Sequence, residues 1–191
     1  SLGKLNTQEV NILTLEDPVE IRIDGITQVQ VNAEVGLTFA TGLRSFLRQD
    51  PDIIMVGEIR DGETAKLAVE AALTGHLVLA TLHTNSAAGA ITRLMDIGVA
   101  PYLLSSTINV VVGQRLVRTL CDDSKQAFQA DQQVVNMLHR ELDGLHGFDI
   151  TKADQNLHFD ETTQNVRLYK AVETPNCENG YAGRTGIFEV M

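Results

Sequence analysis

Short blocks of consecutive apolar residues recur along the first 120 residues, and each one stops abruptly at polar or charged side chains. Asn11-Ile-Leu-Thr-Leu15 runs into Glu16-Asp17-Pro18, Asp52-Ile-Ile-Met-Val56 into Gly57-Glu58, and His76-Leu-Val-Leu-Ala-Thr-Leu82 into His83-Thr84-Asn85. Blocks of this length without alternation are those of strands buried on both faces, and a proline cannot continue a central ladder, so the first strand ends at Pro18. Between them the period changes. Phe39, Leu43, Phe46 and Leu47 recur at helical spacing and stop before Pro51, and helical stretches follow at about Asp61–Leu73 and up to about Ile97. Strands alternating with helices predict a parallel sheet with helices on both faces, and ligands then belong at the C-terminal ends of the strands. Val19 to Asn32 alternates around Asp24-Gly25 and predicts a β-hairpin.

Past Pro101 an apolar helix leads into Gln114-Arg-Leu-Val-Arg-Thr-Leu120, and the pattern then changes. Residues 122–179 are rich in Asp, Gln and Asn, with a helical piece near Val134–Leu142 and an alternating segment near Asn165–Val172. This divides the chain into a core at 1–121, a small acidic α+β excursion at 122–179 and a return segment at 180–191. Phe128, Val134, Leu138, Phe148, Leu168 and Tyr169 are the residues available for a core in the excursion.

Charge narrows the function classes. Fifteen basic against 25 acidic side chains give a net −10, with nine and 13 in residues 1–120 and six and 12 in 121–191. Neither part carries the basic stripe of a nucleic-acid motor, so any phosphate is held locally. No uncharged stretch is clean enough for a membrane span, no signal peptide is expected, and two widely separated cysteines do not make a disulfide framework; a reducing, cytoplasmic setting is the expectation.

One sheet edge would collect Glu16, Asp17 and Glu20, then Glu58, Arg60 and Asp61, then His83, Thr84 and Asn85. Phosphoryl transfer needs carboxylates near a metal, a group to orient water, and cations to neutralise charge, and this set supplies each. Each residue has a plainer reading: Glu16-Asp17 as a solvated turn, His83 as a structural histidine, Arg44 and Arg48 as a solvated helix face.

Together the motifs resemble the secretion ATPase superfamily. Thr14-Leu-Glu-Asp-Pro-Val-Glu20 is similar to its aspartate box, Leu47 through Asp61 to its Walker B region, and Thr74 through Asn85 to its histidine box. Gln114 through Cys121 and Gly180-Tyr-Ala-Gly-Arg-Thr-Gly-Ile-Phe-Glu189 resemble the assembly ATPases of type II secretion and type IV pili. The resemblance implies a RecA-type fold and a homo-hexamer hydrolysing ATP with Mg²⁺. It also implies a cytoplasmic location peripheral to the inner membrane, where the hexamer acts on the platform proteins of a secretion or pilus machine. By position, Glu58 would orient or activate water and Glu16 and Asp17 would act near Mg²⁺. His76 and His83 would sense or polarise the phosphate end, and Arg44, Arg48 and Arg60 would approach phosphate, within the subunit or across a subunit boundary. Gly57 stands where many P-loop enzymes carry an aspartate, a departure the family shares, and metal contacts through water are the consequence.

Two departures qualify this. Nothing matches G-x-x-x-x-G-K-[ST], so the chain reads as the C-terminal part of a longer ATPase and is expected to be inactive alone. The family's paired C-x-x-C motifs are reduced to Cys121-Asp-Asp-Ser124 and Thr174-Pro-Asn-Cys177, and the spacing of His139, His146 and His158 offers no replacement, so zinc is not expected. A pilus retraction ATPase would share the core motifs, but the excursion favours the assembly branch. A non-catalytic interaction module of the same machinery is the alternative of a different class.

Overall fold

The computed structural model describes residues 2–142, 159–160 and 165–191. They fall into two units, 1–114 with 188–191, and 115–187.

In the first unit, β1 (Ile12–Glu16), β2 (Thr27–Gln30), β3 (Ile53–Val56) and β4 (Leu77–Ala80) form an all-parallel sheet in the order β2-β1-β3-β4. The register sets Leu15 beside Val56 and Val56 beside Ala80, so the three apolar blocks end almost level. The helices α2 (Phe39–Phe46), α3 (Gly62–Leu73), α4 (Ala87–Asp96) and α5 (Pro101–Thr107) follow the expected positions. Alternation within the strands splits the core. Leu13, Leu15, Ile54 and Val56 face a large cluster with Phe39, Leu43, Phe46, Ala68, Leu94 and Leu104. Ile12 and Ile53 face the other side with Leu2 of α1 (Leu2–Leu5). The two faces are therefore unequally covered, since α2 to α5 all contribute to the larger cluster. Leu15, Leu43, Ile54 and Val56 are fully buried, each adding roughly 1.5–3 kcal/mol.

The helices begin where their sequences supply caps. Thr38 and Thr41 form a reciprocal capping box on α2, Asp61 Oδ1 accepts the Thr64 N–H at 2.8 Å on α3, and Ser86 Oγ accepts the Gly89 N–H at 3.1 Å on α4. Asp61 and Ser86 each stand three residues beyond a strand-exit residue, Glu58 and His83. The loops that carry chemistry are thereby tied directly to helix starts.

The expected hairpin is absent. Asp24 and Gly25 do turn, but Val19–Ile26 forms no strand, and β2 runs parallel to β1. The physical reason lies in two glutamines. Gln28 Oε1 accepts the Ile23 N–H at 2.7 Å, Gln28 Nε2 donates to the Ile21 carbonyl at 3.0 Å, and Gln30 Oε1 accepts the Val19 N–H at 3.4 Å. Side chains satisfy the backbone of the first arm, which leaves no need of a ladder.

β5 (Val112–Leu120) pairs with β9 (Tyr181–Val190). Val111 and Met191 exchange hydrogen bonds at one end of the ladder, and the Cys121 N–H donates to the Gly180 carbonyl at the other, 3.1 Å away. In the second unit β6 (Gln126–Gln129), β7 (Phe159–Asp160) and β8 (Asn165–Lys170) form an antiparallel sheet in the order β6-β8-β7, with α6 spanning Gln132–Leu142. Phe128 and Tyr169, expected in a core, are exposed; Tyr169 instead lies beneath the Lys125 ammonium, 5.7 Å from the ring centre. Phe148, His146 and His158 lie outside the described residues, as do the side chains of Leu138 and His139.

The cysteines correct a further expectation. Cys121 and Cys177 are joined by a disulfide, with Cα atoms 6.6 Å apart. Backbone pairing makes this possible: Cys121 is held at Gly180, and the turn from Thr174 to Cys177 closes through reciprocal Thr174–Cys177 hydrogen bonds. Both sulfurs are buried, and neither is a free thiolate for a metal. No helix among the described residues is long and apolar enough to cross a membrane.

Candidate active site

Parallel strands deliver their C-terminal ends to one edge, where Glu16 ends β1 and Glu58 and His83 follow β3 and β4. Glu58 is the centre. One of its carboxylate oxygens is ion-paired with the Arg60 guanidinium, and the other lies 3.0 Å from His83 Nε2. The Glu58 side chain is only 13% exposed, whereas His83 is 88% exposed. Arg60 also comes within 3.8 Å of Asp17 Oδ2, linking the two acidic motifs. The Arg60 hydrogen bond holds the Glu58 carboxyl below the ordinary glutamate range. Desolvation opposes this, and His83 adds to it. Glu58 in turn raises the Arg60 guanidinium.

Glu16 is anchored separately. Its Oε1 accepts the Thr14 hydroxyl at 2.6 Å and Gln28 Nε2 at 2.9 Å. Thr14 is itself fully buried in β1, so the carboxylate is aimed from below. Sequence reasoning missed both partners. Thr14 is visible as the one hydroxyl inside the first apolar block, while Gln28 is hidden in what resembles a hairpin arm. Thr81 was also missed: its hydroxyl donates to the Gly57 carbonyl and its own carbonyl accepts the Ile59 N–H at 2.9 Å, bracketing Glu58 against the end of β4.

Gly57 makes the close approach of β1 and β3 possible. Its N–H donates to the Leu15 carbonyl at 2.7 Å, and a Cβ on residue 57 would stand 3.0 Å from that oxygen and 3.3 Å from Glu16 Cα. A side chain here would press on the backbone of β1, which is a steric reason for glycine where many P-loop enzymes carry aspartate.

Three predicted site residues are not brought to this cluster. His76 precedes β4 and so lies at the opposite end of that strand from His83; its Nδ1 is within 2.9 Å of the Ala71 carbonyl and 3.0 Å of the Thr74 hydroxyl. Arg44 is ion-paired with Glu63. Arg48 donates to the Arg44 carbonyl at 2.9 Å, at the end of α2.

Oxygens of Glu16 and Glu58 are already hydrogen-bonded to protein donors, and among the described residues no three His, Cys, Asp or Glu side chains converge as a direct cation site.

A family model described as Type II/IV secretion system protein matches residues 1–191. The chain belongs to that family. It is 52% identical over 191 residues to the Type II secretion system ATPase E of Vibrio cholerae serotype O1, covering all of this chain and 34% of that protein. It is 47% identical over 190 residues to the Type IV pilus assembly ATPase PilB of Acinetobacter baylyi, covering 30% of that protein. The chain thus spans about a third of the length of the curated relatives it matches. Among solved structures, the pilus retraction motor PilT with bound ADP superposes with a TM-score of 0.58 at 37% identity, over 63% of this chain and 38% of that one. The VirB11 ATPase of the Brucella suis type IV secretion system in complex with sulphate gives 0.51 at 26% identity, over 60% and 38%. These neighbours identify the parallel sheet and its helices as the RecA-like α/β fold of secretion ATPases.

Proposed function

We propose that this chain is part of a longer hexameric ATPase that powers type II secretion or type IV pilus assembly, working in the cytoplasm against platform proteins of the inner membrane. The observation that carries the reading is the Glu58 carboxylate, held between Arg60 and His83 at the C-terminal edge of a parallel sheet and beside Glu16. ATP brings the phosphoryl group and Mg²⁺ neutralises its charge. Glu16 and Asp17 are the residues suited to hold the metal's water shell. Glu58 is the carboxylate placed to orient or activate the attacking water. Arg60 and His83 stand ready as donors to developing negative charge.

The assembly and secretion branch is favoured over retraction by the higher identity to the ATPase E and PilB relatives than to PilT. Because the 191 residues contain no phosphate-cradling G-x-x-x-x-G-K-[ST] loop, they are inactive by themselves. Steady-state phosphate release from Mg-ATP tests this: none from the 191-residue chain, turnover from a longer protein that includes such a loop. In the latter, Glu58→Gln lowers kcat by roughly 10²-fold or more. Unchanged kcat in Glu58→Gln would overturn the assignment of Glu58.

A further inference from the structure

The loop that presents His83 is fixed at both ends, and its far end is held by a residue more than a hundred positions away. At the near end Thr81 binds the strand exit that carries Glu58. Within the loop the Thr84 N–H donates to the Leu82 carbonyl at 3.1 Å and the Thr84 hydroxyl to the Ser86 carbonyl at 3.0 Å. At the far end Glu189, near the end of β9, accepts the Ala87 N–H through Oε2 at 2.8 Å. Ser86 caps the same helix turn through the Gly89 N–H, and the Ser86 side chain and Thr84 Cβ are what a Cβ on residue 89 would meet. The contact is closely fitted: a Cβ on residue 113 would lie 3.0 Å from Ala87 N and 3.2 Å from Glu189 Oε2.

We infer that Glu189 is a positioning residue for His83: its carboxylate pins the first turn of α4 and so sets where the four-residue path from His83 to Ala87 places the imidazole beside Glu58. A charged acceptor on the first free amides of a helix combines a charge-assisted hydrogen bond with the favourable end of the helix dipole, so loss of the charge frees the helix start and the loop attached to it. Glu189 touches no reacting atom in this scheme. Its catalytic consequence rests on the ATPase reading above, whereas its effect on His83 does not.

The test uses two variants and two readouts. In the 191-residue chain, Glu189→Ala moves the Ala87 amide resonance upfield, accelerates its hydrogen exchange by about tenfold or more and shifts the His83 imidazole signals. Glu189→Gln, which keeps a carbonyl acceptor at the same reach, produces a smaller change of the same sign in each. Ala87 changes with unmoved His83 signals would overturn the inference, because Glu189 would then be only a helix cap; so would an unperturbed Ala87 amide. If Glu189→Ala fails to fold, the glutamine variant decides by the same signals. In the longer ATP-hydrolysing protein, Glu189→Ala lowers kcat about tenfold with KM within about twofold. An equal rise in KM with kcat preserved contradicts positioning. Absence of turnover in the unsubstituted longer protein would refute the ATPase reading while leaving the imidazole shift to decide the role of Glu189.

Discussion

Replacing Gly57 by alanine tests whether the close approach of β1 and β3 is what builds the carboxylate edge. The added methyl group would stand 3.0 Å from the Leu15 carbonyl oxygen and 3.3 Å from Glu16 Cα, and both are backbone atoms of a strand buried on both faces. Neither neighbour can rotate away as a side-chain end would, so relief requires the strands to part at a 2.7 Å hydrogen bond. Overpacking of this kind costs about 1–3 kcal/mol. Restricting the unfolded chain returns about 0.4–1 kcal/mol. The net loss is about 1–2 kcal/mol. With a urea dependence of about 1–3 kcal/mol per molar, the unfolding midpoint falls by about 0.3–2 M. Gly3→Ala serves as the control, because a Cβ there meets nothing within 4 Å, and its midpoint stays level or rises. A Gly57→Ala chain as stable as the unsubstituted one would refute the steric account of Gly57 and of the missing aspartate.

Acid provides a second test. Arg60, with His83, lowers the Glu58 carboxyl relative to the unfolded chain, so the stability it contributes is fully present above the ordinary glutamate value of about 4.3 and disappears as pH falls through the lowered folded value. Urea midpoints measured from pH 7 down to pH 3 should fall less steeply for Glu58→Gln than for the unsubstituted chain, and parallel curves would contradict the ion-pair geometry. Reduction tests the disulfide: Cys121 and Cys177 close a loop with a sequence separation of 56, for which chain entropy gives about 4 kcal/mol. Dithiothreitol should therefore lower the stability of the second unit by up to that amount while the double variant Cys121→Ser with Cys177→Ser becomes insensitive to it; equal stability with and without reductant refutes the bond's contribution.

The parallel sheet was legible because its signals are local. Three uninterrupted apolar blocks end in polar clusters, and helical spacing lies between them, which suffices to place Glu16, Glu58 and His83 at one edge. What escaped reading depended on contacts across the chain. Gln28 and Gln30 alternate with apolar neighbours as in a hairpin, but their amides replace the ladder instead of joining it. Arg44, Arg48 and His76 have residue types suited to phosphate. Within the chain, their positions along α2 and at the start of β4 pair them with Glu63 and helix carbonyls, contacts that residue type alone does not announce. The pairing of Cys121 with Cys177 depended on the Cys121–Gly180 ladder, which no spacing rule encodes.

Among the described residues β4 is bonded to β3 on one side and has no strand on the other within its sheet. Along that open flank runs a groove of about 500 Å³ lined by Leu79, Ala80, Thr84, Ala90 and Val110, with Leu77 exposed at its start. An edge strand beside apolar side chains is a template on which another extended peptide can assemble, and natural proteins usually blunt such rims with lysine, proline or a bulge. Leu77-Val-Leu-Ala80 has none of these. Leu77 is the exposed large apolar residue of this strand, and a lysine introduced there is the place to begin in keeping the isolated chain monodisperse.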